Sequence, residues 1–216
     1  MAKLRIEPRE EGYTRGQEIH ETILRTSFDI LVDQGMDALT FGNIAKRMGT
    51  KSQNVTYYFP NKNILLSELL NCILSNYEYE VDIIEKNKSM SDEEKFKSIA
   101  ELIILDLATK ETTRVFPELW AKSNHDSFVQ DRLNDLYRRG RQVTVQLVSR
   151  LRPDIPADIQ QMIGVIAAGC FEGLTIFAGH GKEWEDKIEI IARLAKNILF
   201  EGIMSLPVHA NNIDGK

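Results

Sequence analysis

Residues 35–65 read GMDALTFGNIAKRMGTKSQNVTYYFPNKNIL, and the order of helix-stopping and helix-starting residues in this stretch decides the fold. Gly35 is placed to end a preceding helix, because glycine takes left-handed backbone without a side-chain clash. Thr40 is a good N-cap: its hydroxyl can accept a hydrogen bond from the first turn of a helix carrying Ile44, Ala45 and Met48. Gly49 stops that helix, and a third runs from about Lys51 to Tyr57. Helices this short are not stable alone, so each must be held by packing across the tight junction. Two such helices crossing steeply at a glycine form a helix-turn-helix. Phe59 and Pro60 close the motif, and Asn61 can cap a long fourth helix carrying Ile64, Leu65, Leu69, Cys72 and Ile73.

The same reasoning extends outward. Upstream, Thr14 and Gln17 have the spacing of a capping box, and Ile19, Ile23, Ser27, Ile30 and Leu31 give the first helix one buried face. Residues 1–12 read as a flexible arm. Downstream the chain turns polar at 85–92, and Ser91 with Glu94 forms a second capping box ahead of Phe96, Ile99, Ile103 and Leu107. Pro117 bends or begins a short helix over 114–123. A long helix from about Ser127 to Leu151 stops before Pro153, Pro156 opens another that reaches Ala178, and a last one spans about Glu183 to Met204. The expected fold is all-α, with about nine helices: an N-terminal helix-turn-helix three-helix domain and a larger C-terminal helical domain. The expected boundaries are 1–60, a connecting helix at 61–85, a second domain at 86–207, and a polar tail at 208–216.

A chain of 216 residues with 43% hydrophobic content can bury a large core. Its net charge of −5 argues against a protein that coats nucleic acid over its whole surface, yet the charge is unevenly spread. Residues 1–62 hold nine Lys/Arg against eight Asp/Glu, whereas 63–216 hold 18 against 24. Within 42–63, Lys46, Arg47, Lys51 and Lys62 face no acidic residue, as a local phosphate contact requires.

Other classes fare poorly. There is no glycine-rich phosphate loop, no G-x-S-x-G elbow and no H-E-x-x-H pair, so an enzyme is not expected. Cys72 and Cys170 lie in apolar helical patterns without metal-ligand or disulfide spacing, and both read as small buried hydrophobes. No metal or cofactor is expected. Charges interrupt every apolar run short of a membrane span, and the polar N-terminus is unlike a signal peptide, so the expected location is cytoplasmic.

The stretch from Ile23 to Leu66 resembles a TetR-family DNA-binding domain at Gly35, Thr40, Ile44, Ala45, Gly49, Tyr58, Phe59, Asn61, Lys62 and Leu65. The resemblance implies a homodimeric transcriptional regulator bound to double-stranded operator DNA, with the third helix in the major groove. It makes Gln53, Asn54, Thr56 and Tyr57 the base-facing set, and Thr40, Lys51, Tyr58 and Lys62 the backbone contacts. The chemistry agrees: Asn and Gln amides can bond an adenine edge, a Thr methyl can pack on thymine, and lysines can neutralise phosphates without reading sequence. The chain departs from the family pattern where Thr50, Lys51, Ser52 and Gln53 replace the common Val, Ser, Lys and Gly, and where Thr56 replaces a frequent aromatic.

Residues 115–182 resemble the effector domain of the betaine-regulator branch of that family, through Glu118, Leu119, Trp120, Ser123, His125, the Tyr137–Arg139 segment, and Cys170 to Leu174. This implies a domain that senses a small molecule and dimerises, most simply a repressor released from its operator by the effector, although effector-promoted DNA binding is a variant of the same scheme. The candidate pocket is Phe116, Trp120, Asn124, His125, Phe128, Tyr137, Phe171, Glu172 and Phe177, aromatic residues with a few polar groups. A buried Glu172 would attract a cationic ligand unless Arg138 or Arg139 neutralises it. The expected dimer stripe is Met162, Val165, Gly169 and Gly173 on one helix with Ile188, Ile191, Ala195, Ile198 and Gly202 on the next. Two other readings compete: a helical small-molecule carrier without DNA activity, and a helical hydrolase using His125 or His180 with Glu172. The basic, acid-free segment 42–63 favours the regulator over both.

Overall fold

The computed structural model describes residues 4–6 and 14–207, and among them it contains nine α-helices and no strand. These are α1 (Thr14–Gln34), α2 (Phe41–Arg47), α3 (Ser52–Tyr58), α4 (Lys62–Glu85), α5 (Asp92–Leu107), α6 (Lys110–Ser123), α7 (Ser127–Leu151), α8 (Ala157–Ala178) and α9 (Ile188–Met204). The all-α expectation holds. The chain divides into two compact units, one of residues 1–78 with 110–136, the other of 79–109 with 137–216. Helices α4 and α7 thus each contribute to both.

In the first unit, Ile23, Leu24, Ile30, Leu31, Leu39, Ile44, Val55, Phe59, Leu65, Leu69 and Leu119 are fully buried. The expected punctuation is present. Gly35 ends α1 with φ 82° and ψ 179°, Thr40 Oγ1 accepts from Asn43 N–H at 3.2 Å, and Asn61 Oδ1 accepts from Ile64 N–H at 3.0 Å. The capping box at Thr14 and Gln17 and most of the arm fall outside the described residues or side chains. Within the arm, Leu4 is buried and Arg5 N–H donates to Cys72 O at 3.2 Å, so residues 4–6 are docked on α4 and are not part of a free arm.

Helix α6 starts at Lys110, a turn before the expected Arg114, and carries Pro117 inside it. The turn before the proline stays helical because Thr112, Thr113, Val115 and Phe116 are buried there. Helix α6 packs on α1, and Glu118 Oε2 accepts from Met36 N–H at 3.1 Å.

In the second unit, α5 packs on α8 and α9. One cluster joins Phe96, Ile99, Leu147, Val148, Ile155, Ile163, Phe200 and Ile203; another joins Ala100, Ile104, Ala167, Phe171 and Ala192. The Ser91–Glu94 capping box forms as expected. Arg152 is buried and donates to the carbonyls of Ile203, Met204 and Leu206 at 2.8–2.9 Å, satisfying the end of α9 with a cation where the helix dipole favours one. Helix α9 begins five residues later than expected. Residues 185–187 form a 3-10 turn in which Glu185 folds back to accept from Gly181 N–H at 2.7 Å and bonds the His180 ring at 2.8 Å.

Helix α8 is long and apolar enough, by length and composition, to cross a membrane, against the expectation that charges break every such run. It is nonetheless two-faced: Ile163, Gly164, Ala167, Phe171, Thr175 and Ala178 are buried, while Met162, Val165, Ile166, Ile176 and Phe177 are exposed.

Candidate nucleic-acid interface

The interface is built on the junction between α2 and α3. Gly49 lies at φ 67°, Thr50 N–H donates to Ala45 O at 2.9 Å and Gly49 N–H to Lys46 O at 3.2 Å. This bonding is a Schellman motif: it satisfies the last carbonyls of α2 and turns the chain at once into α3. Val55 and Phe59, both fully buried, fasten α3 to the unit. Everything else on its free side faces out. Gln53, Asn54, Thr56 and Tyr57 are exposed, Tyr57 to 81%.

The side chains are partly pre-set. Asn54 Nδ2 donates to Thr50 Oγ1 at 2.6 Å, which fixes the amide plane while leaving Oδ1 and one N–H outward. Thr56 Oγ1 donates to Gln53 O at 3.0 Å, which restrains its side-chain rotamer. Thr40 uses an oxygen lone pair on Asn43 and retains its O–H for an external acceptor.

The basic residues fall into two groups. Lys46 and Lys51 are exposed. Arg47 is paired with Asp33 at 3.1 Å, in a network that also draws in Lys110 at 2.8 Å and holds the Asp33 carboxyl below the usual range. Lys62, expected at a phosphate, sends its Nζ to Met36 O at 3.3 Å, and partial burial pulls its pKa down, with Lys122 adding repulsion. It braces the turn after α1 as well as lining the basic segment.

A histidine absent from the expected set organises the back of α3. His20 on α1 is buried, stacks on Phe59 with centroids 4.9 Å apart, lies 6.4 Å from the Tyr58 ring and pairs with Glu68 of α4 at 2.8 Å. One side chain thereby ties α1, α3 and α4. Its sequence signal is a polar residue three positions before Ile23 on the buried stripe, which reads as a mere interruption. Tyr58 is half-buried and edge-on to Tyr57 at 5.1 Å.

Residues 23–69 match the family model for bacterial regulatory proteins of the tetR family. The matched segment runs from within α1 into α4 and contains both helices of the helix-turn-helix. Over 55 residues the chain is 34% identical to the tetracycline repressor protein class C of Escherichia coli, a match covering 26% of this chain and 25% of that protein. The chain therefore aligns with about a quarter of its curated relative. The fold extends further. Salmonella enterica GusR superposes with TM-score 0.70 at 13% identity, covering 90% of this chain and 100% of that one. A TetR-family transcriptional regulator from Bordetella parapertussis gives 0.63 at 14%, covering 88% and 98%. A Saccharomonospora viridis protein solved in complex with choline gives 0.65 at 20%, covering 87% and 96%. At these identities the likeness shows a shared TetR-like all-α fold over most of the chain.

The other expected site residues fall in both units. Of the pocket residues, Phe116, Trp120, Asn124, His125 and Phe128 lie in the first unit and Tyr137, Phe171, Glu172 and Phe177 in the second. Phe116 and Phe171 are buried, Asn124 and His125 are exposed in the α6–α7 connection, and Phe177 is exposed on α8. Of the expected dimer residues, Met162, Val165, Gly169, Ile198 and Gly202 are exposed. Ile188 and Ala195 instead pack on their own cluster, and the exposed apolar stripe of α9 is Ile190, Leu194 and Ile198. The helix is turned because Ala192, Phe200 and Ile203 take the core side. Cys170, expected to be buried, is exposed, whereas Cys72 is buried.

Proposed function

We propose that this protein is a sequence-specific DNA-binding transcriptional regulator that acts as a homodimer and responds to a small-molecule effector. The observation that carries the reading is the outward set on α3: Gln53, Asn54, Thr56 and Tyr57 project from a helix anchored by Val55 within it and Phe59 at its end. Amide, methyl and aromatic groups on one rigid face, flanked by exposed Lys46 and Lys51, suit base edges with phosphates on either side.

One such helix binds weakly, and two must be held about 34–36 Å apart to meet successive major-groove faces. The exposed apolar positions of α8 and α9 supply the surface for that pairing: Met162, Val165, Ile166 and Phe177 on one, Ile190, Leu194 and Ile198 on the other. The functional division we propose has 1–60 reading DNA, 61–85 connecting, and 86–207 sensing and dimerising, with 110–136 belonging to the same compact unit as the DNA-reading segment. An effector that prefers one separation of the recognition helices needs a coupling of roughly 1–3 kcal/mol to change operator affinity 5- to 150-fold. Repression relieved by the effector is the direction we favour, from the family. The Saccharomonospora viridis protein of similar fold was solved in complex with choline, which supports a small-molecule effector here.

The test is fluorescence anisotropy of labelled DNA from upstream of the gene, at two salt concentrations, with the wild type and Gln53→Ala and Lys51→Ala. Saturable binding with a steep salt dependence is expected, Gln53→Ala relaxing preference at one base pair and Lys51→Ala weakening all sequences alike. Binding no tighter than to random DNA, with no sequence enriched by genome-wide selection, refutes the reading.

A further inference from the structure

Helix α8 carries two buried polar atoms for which the described residues supply no hydrogen-bond partner, Glu172 Oε2 and Thr175 Oγ1. Three residues apart on a helix, the two side chains leave the same face about one turn from each other. Thr175 is only 2% exposed, so water does not reach it from the surface. Two neighbours complete the cluster. Asp106 of α5, 4% exposed, presses its negative charge on Glu172, and the Tyr137 hydroxyl of α7 donates to the Glu172 carboxylate. Burial is the larger influence, and with Asp106 it raises the Glu172 carboxyl to about 7. Among the described residues, the side chains that act on Glu172 are Tyr137 and Asp106, neither of them a cation; Arg138 and Arg139 are exposed.

Buried carboxylate without a countercharge is expensive, and the unmet acceptors beside it add to the cost. A bound cation would relieve both. A metal ion is poorly served: two carboxylates and two hydroxyls fall short of the six to eight oxygens a hard cation takes, and among the described residues no group of three or more His, Cys, Asp or Glu could hold one. Phe171, next to Glu172 along α8, packs in a cluster with Ala100, Ile104 and Ala167, so the surroundings are apolar and favour a cation that carries a hydrocarbon chain. The type of ammonium is then set by the unmet atoms. Both accept hydrogen bonds, which a primary ammonium can give from three N–H groups and a quaternary ammonium cannot give at all.

We propose that Glu172 and Thr175, with Asp106 and Tyr137, bind a primary or secondary organic ammonium ion carrying an apolar chain, and discriminate against quaternary ammonium. Its regulatory meaning rests on the effector reading above; the binding itself does not.

Isothermal titration calorimetry on the full chain at pH 8, in amine-free buffer, tests it with butyl-, hexyl- and octylammonium, each against its N,N,N-trimethyl counterpart. Charge-assisted hydrogen bonds of roughly 1.5–3 kcal/mol predict about ten- to hundredfold tighter binding of the primary ion in each pair. Glu172→Gln should lose at least about tenfold and Thr175→Val several-fold, with Thr175→Ser restoring affinity. Equal or tighter binding of the trimethyl ions, no binding of any primary ammonium, or unchanged affinity in Glu172→Gln would overturn the proposal. The two wild-type titrations decide it even if a variant fails to fold. Ammonium binding without operator binding sinks the regulator reading alone, and operator binding without ammonium binding sinks this one alone.

Discussion

Replacing Glu172 with Gln should stabilise the ligand-free protein at pH 8 and change it far less at pH 5. The carboxyl is raised from an ordinary 4.5 to about 7, chiefly by burial, with Asp106 adding to the effect and the Tyr137 hydroxyl opposing it. Between those two values the folded chain holds a proton that the unfolded chain has released. The stabilisation from that proton is complete below pH 4.5 and is lost as pH rises through 7. Gln copies the neutral form at every pH and can still accept from Tyr137. The stability difference, variant minus wild type, should therefore grow by about 2–3 kcal/mol between pH 5 and pH 8. Urea denaturation followed by helical circular dichroism, in phosphate–citrate without amine, reads this as a midpoint difference that widens by on the order of 1 M. A difference independent of pH would refute the reasoning, because it would mean that Glu172 keeps the same proton affinity folded and unfolded.

Gly35→Ala should cost roughly 1–3 kcal/mol in the same assay, because its φ of 82° with ψ near 180° suits glycine alone and the new Cβ would lie 3.2 Å from the Glu118 carboxylate that holds Met36 N–H. Ser91→Ala removes one half of the capping box on α5 and should cost about 1 kcal/mol, with little effect on operator affinity. Ile198→Asp places a charge on the most exposed apolar residue of α9, at 69%, and sedimentation velocity should show a shift from dimer to monomer while the helical signal persists. An unchanged sedimentation coefficient would remove that face from the interface.

Local chemistry made much of this protein legible in its sequence. Gly35, Thr40, Gly49, Asn61 and the Ser91–Glu94 pair act within one turn of themselves, so their residue types alone place the helix ends. The outward set on α3 came from the family resemblance, and it is exposed because Val55 and Phe59 take the buried side of the helix. What the sequence could not decide were matters in which a distant residue chooses. The helical turn before Pro117 survives because its side chains are buried, and α9 starts late because Glu185 is recruited by Gly181 and His180. The face α9 shows to solvent depended on which of several evenly spaced apolar residues met the core, and Ala192, Phe200 and Ile203 took that place over Ile190, Leu194 and Ile198. His20 and Glu172 are the sharpest cases. Each is a polar residue on an apolar stripe, and only tertiary packing gave one a carboxylate partner from α4 and left the other beside a second carboxylate from α5, because a buried charge takes its character from whatever the fold brings within a few ångströms.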